Sequence, residues 1–163
     1  MRSNAVVTTC FVVAIMCATV GWGMALVMAP FAITHHAPTD GRFVAGTATY
    51  VVSSALCHQQ AIRSFFAWGV PLPVCARCSG LYGGAAVAAV GVLWTATTGV
   101  HRSLSHRTAR TLLFVAVVPT IASVAAEFGG VVDPGNLGRA LAGLPLGATV
   151  AWVVGNTLRG TLH

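Results

Sequence analysis

AVVTTCFVVAIMCATVGWGMALVMAPF, residues Ala5 to Phe31, is 27 residues long and uncharged. A membrane-spanning helix needs about 20 apolar residues. The apolar region of a cleaved signal peptide has only about 7–15. The run therefore reads as a retained membrane helix, although Arg2 would serve as the basic start of a signal. Met16 precedes Cys17 where a lipoprotein cleavage site would have a small residue. Working outward, three further runs follow: Ser79–Val100, Thr111–Glu127 with Pro119 inside, and Ala140–Leu158 with Pro145 near its start. Proline is tolerated in membrane helices because neighbours satisfy the freed carbonyl. The whole chain agrees with this reading. Its 163 residues are 7% charged, against about 25% for soluble domains. The expected fold is an all-α integral membrane bundle, one domain over residues 1–163, with about four transmembrane helices at 5–31, 79–100, 111–127 and 140–158.

Residues 32–78 form the longest connection, expected as an outer segment with a helical hairpin. Phe43–Ile62 is uncharged but carries Thr47, Thr49, Ser53, Ser54, His58, Gln59 and Gln60. Its apolar part is about 14 residues, which suits an interfacial or re-entrant helix at 43–56 better than a span. A fifth span here would flip the topology of half the chain.

All nine basic side chains are arginine, and the net charge is +6. Arg2, Arg102, Arg107 and Arg110 lie in two short segments flanking apolar runs, without interleaved aromatics. The charge therefore reads as membrane topology and not nucleic-acid binding. If the Val100–Arg110 loop is cytoplasmic, both termini are cytoplasmic too, with Arg2 and Arg159. The cysteine-rich segment then lies on the outer face of the plasma membrane. Arg42, Arg63, Arg77 and Arg139 share that face, so the bias is modest. Gly80/Gly84 and Gly143/Gly147 are small-xxx-small pairs, which let membrane helices approach closely.

The chemistry concentrates in two motifs. Cys57-His58-Gln59-Gln60 is followed by Pro73-Val74-Cys75-Ala76-Arg77-Cys78-Ser79-Gly80. Thiolates and imidazoles are preferred zinc ligands, and Cys-x-x-Cys is a common half-site. Pro71 and Pro73 stiffen the approach to the pair. Cys57, His58, Cys75 and Cys78 together would make a Cys3His metal site, with zinc the expected ion and another transition metal the variant. Three protein ligands would leave a position for water; four would close the site. Two other readings stay open. One is a redox dithiol, with the Cys75 or Cys78 thiol activated by Arg77 and the helix start. The other is a structural disulfide or plain buried thiols. Cys10 and Cys17 read as packing residues. His35 and His36, beside Asp40, read chiefly as solvated loop residues.

Glu127, Asp133 and Arg139 fall at helix ends expected on the same face as the cysteines. An ionisable group after an apolar run usually has a partner or a function. Arg63, Arg77 and Arg139 are the candidate partners of Glu127. They would either orient helices as ion pairs or line a polar pocket. In the second case Glu127 or Asp133 would act as general base and the arginines would contact an anion. Asp133-Pro134-Gly135-Asn136 also reads simply as a turn.

These motifs carry a resemblance. Cys57-His58-Gln59, Arg63-Ser64-Phe65-Phe66 and Leu72-Pro73-Val74-Cys75-Ala76-Arg77-Cys78-Ser79-Gly80-Leu81-Tyr82-x-Gly84 resemble the DUF2085 family of small bacterial membrane proteins. Asp133, Asn136, Arg139, Gly143 and Gly147 extend the likeness, which covers about Leu56 to Gly147. Ser79 stands where the family usually has threonine, and keeps the hydroxyl. The resemblance implies a helical membrane protein with a Cys/His cluster and no established reaction. A looser analogy is with vitamin K epoxide reductase-like proteins, which place a Cys-x-x-Cys at a helix end and pass electrons to quinone. The expected function is a metal-binding membrane protein. It would be either an accessory subunit of a larger membrane complex or a metalloenzyme acting on a lipid-like or anionic substrate. The alternative is a quinone-linked thiol oxidoreductase using Cys75 and Cys78. The expected partners are the bilayer and that complex.

Overall fold

The long uncharged runs become helices that bury small residues against one another. The computed structural model describes residues 2–98 and 105–160. Its α-helices are α1 (Arg2–His35), α2 (Gly41–Ser54), α3 (Ala76–Thr98), α4 (His106–Phe128) and α5 (Gly135–Leu158). Four of them are long and apolar enough to cross a membrane: Val7–His35, Ala76–Ala96, His106–Phe128 and Gly135–Leu158. The protein is thus an all-α membrane bundle. Val100, His101 and Arg102 lie outside the described residues.

α2 is 14 residues, about 21 Å at 1.5 Å per residue, too short for a hydrocarbon core of about 30 Å. Asp40 caps it by accepting from the Arg42 N–H at 2.8 Å. The His36 ring sits 3.5 Å from the same carboxylate, and His35 stacks on Phe31. Gly46 lets α2 lie close on α1, since a Cβ there would stand 2.9 Å from the Ala32 methyl and 3.1 Å from the Ala29 carbonyl oxygen.

The connection from α2 to α3 is not a helical hairpin. It holds a 3-10 turn (Ala61–Arg63) and two short antiparallel strands, β1 (Phe66–Ala67) and β2 (Val70–Pro71). Trp68 and Gly69 close this hairpin with φ of 50° and 79°, the doubly positive pattern of a tight two-residue turn. The Trp68 ring packs edge-on against Phe31 at the end of α1. Pro71 and Pro73 withhold the N–H groups that a helix here would need.

The tightest packing is between α3 and α5, which run parallel. A Cβ on Gly80 would collide with the Ala140 backbone, and one on Gly84 with the Leu144 carbonyl. One on Gly143 would meet the Arg77 carbonyl, and one on Gly147 the Leu81 carbonyl. The two small-xxx-small pairs therefore face each other, and backbone meets backbone. α1 crosses α3 in the opposite direction, burying Val12 and Met16 against Ala89 and Val92. α4 packs on α5, where the Thr120 hydroxyl donates to the Ala142 carbonyl at 2.7 Å. This order puts the 36–75 connection and the α4–α5 turn at one end of the bundle.

Candidate thiol centre and its arginine anchor

Cys57 sits just past α2, its N–H bonded to the Ser53 carbonyl at 2.9 Å, so it continues that helix by part of a turn. The chain then reverses at Gln59, whose φ is 47°. The Gln59 amide donates to the Tyr50 carbonyl at 2.7 Å and to the Pro73 carbonyl at 2.9 Å. The Tyr50 hydroxyl donates to the Pro71 carbonyl at 2.6 Å. These three bonds hold the segment before Cys75 against α2. Burial raises the pKa of Tyr50, which keeps this donor protonated.

Cys75 caps α3, its carbonyl accepting from the Ser79 N–H at 2.8 Å. Cys78 follows one turn later. Cys57 is buried, Cys75 and Cys78 are half-buried, and all three thiols are free. Their sulfurs lie within 4.8 Å of one another. The Cys75 N–H donates to Cys57 Sγ at 3.2 Å. The pKa of Cys75 is lowered to about 5, chiefly by the hydrogen bond with Cys78, while burial opposes the shift. Three convergent sulfurs, one favoured as thiolate, form a group able to hold a metal ion. His58 is exposed and stands outside the group. Cys10 and Cys17 are exposed on α1, far in sequence from the cluster.

The second motif assembles around Glu127, whose side chain is 10% exposed. It accepts from Arg77 Nη2 at 3.1 Å, Arg139 Nη2 at 3.0 Å and Arg139 Nε at 3.3 Å. Arg63 Nη2 is 3.0 Å away as an ion pair. All three arginines singled out in the sequence converge on this one carboxylate. Arg139, itself buried, also reaches Asp133 at 2.9 Å and Asn136 at 3.1 Å. Asn136 in turn donates to the Ser64 carbonyl at 3.0 Å, and Arg77 donates to Ser123 at 3.3 Å. Both Glu127 oxygens are thus occupied by guanidinium groups, which orients helices and leaves little room for proton abstraction.

Arg77 joins the two motifs. It lies between Cys75 and Cys78, its carbonyl abuts Gly143, and its guanidinium reaches Glu127. The turn that presents both cysteines is therefore fixed by α4 and α5. Sequence reading missed Tyr50 and gave Gln59 and Asn136, both within the quoted motifs, no positioning role. Gln59, two residues after Cys57, was a signal for one, a polar residue where the chain must turn.

The fold and site define a membrane protein of four long apolar helices with a three-thiol cluster at one end. The chain belongs to the family described as predicted membrane protein (DUF2085), whose model matches residues 57–153. That stretch starts on Cys57 and includes Cys75, Cys78, Glu127 and the arginines around it. An uncharacterized protein of Methanocaldococcus jannaschii is 53% identical over 38 residues, 23% of this chain and 24% of that protein. This relative is archaeal, so the likeness extends beyond bacteria. No solved structure matches the chain.

Proposed function

We propose that Cys57, Cys75 and Cys78 bind one zinc ion and that the metal acts as a structural staple. It would clamp the end of α2 to the start of α3. The observation that carries this reading is the three sulfurs within 4.8 Å of one another, drawn from two segments 18 residues apart. Thiolate sulfur favours zinc among common ions, and four-coordination leaves one further ligand. His58, one residue from Cys57, is the nearest candidate in sequence and would have to turn inward to complete a Cys3His set. The saturated Glu127 carboxylate favours a staple over an enzyme, because a general base needs a free lone pair facing substrate. The stapled surface would then serve an accessory subunit within a larger membrane assembly. The same reading puts the thiol end outside the plasma membrane and both termini in the cytoplasm. Arg107 and Arg110, at the start of α4, and Arg159, just past α5, lie at the other end. Alkaline phosphatase fused after Arg159 should be inactive; an active fusion would reverse this orientation.

Elemental mass spectrometry with thiol titration tests the metal. About one zinc per chain is expected, with all three cysteines shielded. Metal-free protein with a reversible Cys75–Cys78 disulfide would overturn the reading.

A second reading has one observation in its favour. A groove of about 400 Å³ between α1 and α3, lined by Leu26, Val27, Val74, Ser79 and Tyr82, is almost wholly apolar, and Leu26, Val74 and Tyr82 of its lining pack in one cluster with the three cysteines. It would suit a membrane quinone. Cys75 and Cys78 would give two electrons and two protons to the quinone, leaving a disulfide and a quinol. Quinol formation by the reduced, metal-free protein would support this reading; its absence would leave the staple.

A further inference from the structure

A second cavity of about 400 Å³ opens beside the Glu127 cluster, lined by Ile62, Arg63, Val132, Asp133, Glu127 and Arg139. Its own lining is balanced, Arg63 and Arg139 against Glu127 and Asp133, and Arg77 joins the cluster from outside the cavity through Glu127. Arg63, Arg77 and Arg139 face only Glu127 and Asp133 among the described residues, so the cluster keeps one positive charge in excess. The three arginines are not equally committed. Arg139 spends all its nitrogens on Glu127, Asp133 and Asn136, and Arg77 bonds Glu127 and Ser123. Arg63 is close to Glu127 as an ion pair but donates no hydrogen bond among the described residues, and its side chain is 43% exposed. Its Nε and Nη1 groups, which have no partner among the described residues, therefore remain available at the cavity mouth.

The rim is apolar. Ile62 is 86% exposed and Val132 57%, and Phe128 and Val131 nearby are 84% and 80% exposed. Large apolar side chains gathered around an arginine pocket do not suit plain water. The place in the fold supplies an explanation. The cavity lies where α4 ends and α5 begins, and the ends of helices long enough to span a bilayer meet its headgroup region. We propose that this cavity binds the phosphate of an anionic phospholipid. Arg63 donates to the phosphate oxygens, and the acyl chains pass over Ile62, Val132 and Phe128. A phosphodiester with no compensating cation matches the single excess positive charge. The proposal does not depend on whether the thiols hold metal.

The test is native mass spectrometry of the full chain, delipidated in a neutral detergent and titrated with phosphatidylglycerol or phosphatidylcholine. The protein should retain phosphatidylglycerol about tenfold more tightly. Arg63→Gln should erase that preference with metal content and helicity unchanged, because one charge-assisted bond is worth roughly that factor. Arg63→Lys should keep the preference but bind about threefold more weakly. Arg110→Gln removes the same charge at the opposite end and should change nothing. Equal loss in Arg63→Gln and Arg110→Gln would mean diffuse attraction and overturn the proposal. So would equal retention of the two lipids. Inorganic phosphate binding as tightly as phosphatidylglycerol would overturn the lipid as occupant.

Discussion

Gly83 and Gly84 are neighbours in α3, identical in chemistry, and should respond to alanine with opposite signs. A Cβ on Gly83 meets nothing within 4 Å, whereas one on Gly84 collides with the Leu144 carbonyl oxygen and stands 3.0 Å from the Leu144 carbon and the Ala148 nitrogen. Alanine in a helix gains about 1 kcal/mol over glycine. Gly83→Ala should show that gain, about 0.5–1 kcal/mol. At Gly84 the obstacle is backbone on both sides, which cannot rotate away as a side chain would. Overpacking costs about 1–3 kcal/mol, and the rigid obstacle favours the upper end. After the propensity gain, Gly84→Ala should lose about 2 kcal/mol. The two variants then differ by about 3 kcal/mol, roughly a hundredfold in folded-to-unfolded ratio. Reversible unfolding in mixed micelles, followed by circular dichroism, measures the difference. Stabilities within about 0.5 kcal/mol of each other would refute the backbone contact between α3 and α5.

Three further outcomes are expected. Glu127→Gln should cost about 3 kcal/mol by leaving Arg139 and Arg77 undercompensated. Arg139→Leu added to it should cost much less than the sum, and additivity in this cycle would show that the pair is not coupled. Metal-free Cys75 should alkylate with a midpoint near pH 5 instead of its ordinary 9.0. Because the folded pKa is depressed, its thiolate contributes fully above pH 9 and the contribution declines as pH falls towards about 5; a midpoint above pH 8 would contradict the Cys78 hydrogen bond. Chelation, or Cys57→Ser, should raise hydrogen exchange across residues 55–75 while leaving α5 protected; unchanged exchange would remove the staple.

Much of this architecture was legible in the chain. Uninterrupted apolar length revealed the four long helices, since the bilayer imposes a minimum that sequence must meet. The true helices overrun those estimates because charged residues can continue a helix into the headgroup region: α4 starts at His106, ahead of Arg107 and Arg110. The glycine pairs and the acid among arginines were also readable, because close approach and buried charge each demand particular residue types. The β-hairpin was not. Trp68 at positive φ goes against local preference, and its conformation is held by Phe31, 37 residues earlier. Nor could the sequence say which side of the Cys57–Gln59 turn His58 would occupy. Adjacent residues on an irregular turn have no fixed relative direction, and Gln59 took the inner bonds.

Arg77 has a consequence for synthesis. It leaves the ribosome 50 residues before Glu127, a delay of about 3–10 s at ordinary elongation rates. Arg63 waits longer, and Arg139 arrives only afterwards. The three cysteines are complete by residue 78, so the centre proposed to hold zinc is assembled in sequence while α4 and α5 are still unmade. A thiol centre that loads first would hold the start of α3 in shape until the carboxylate that anchors it emerges.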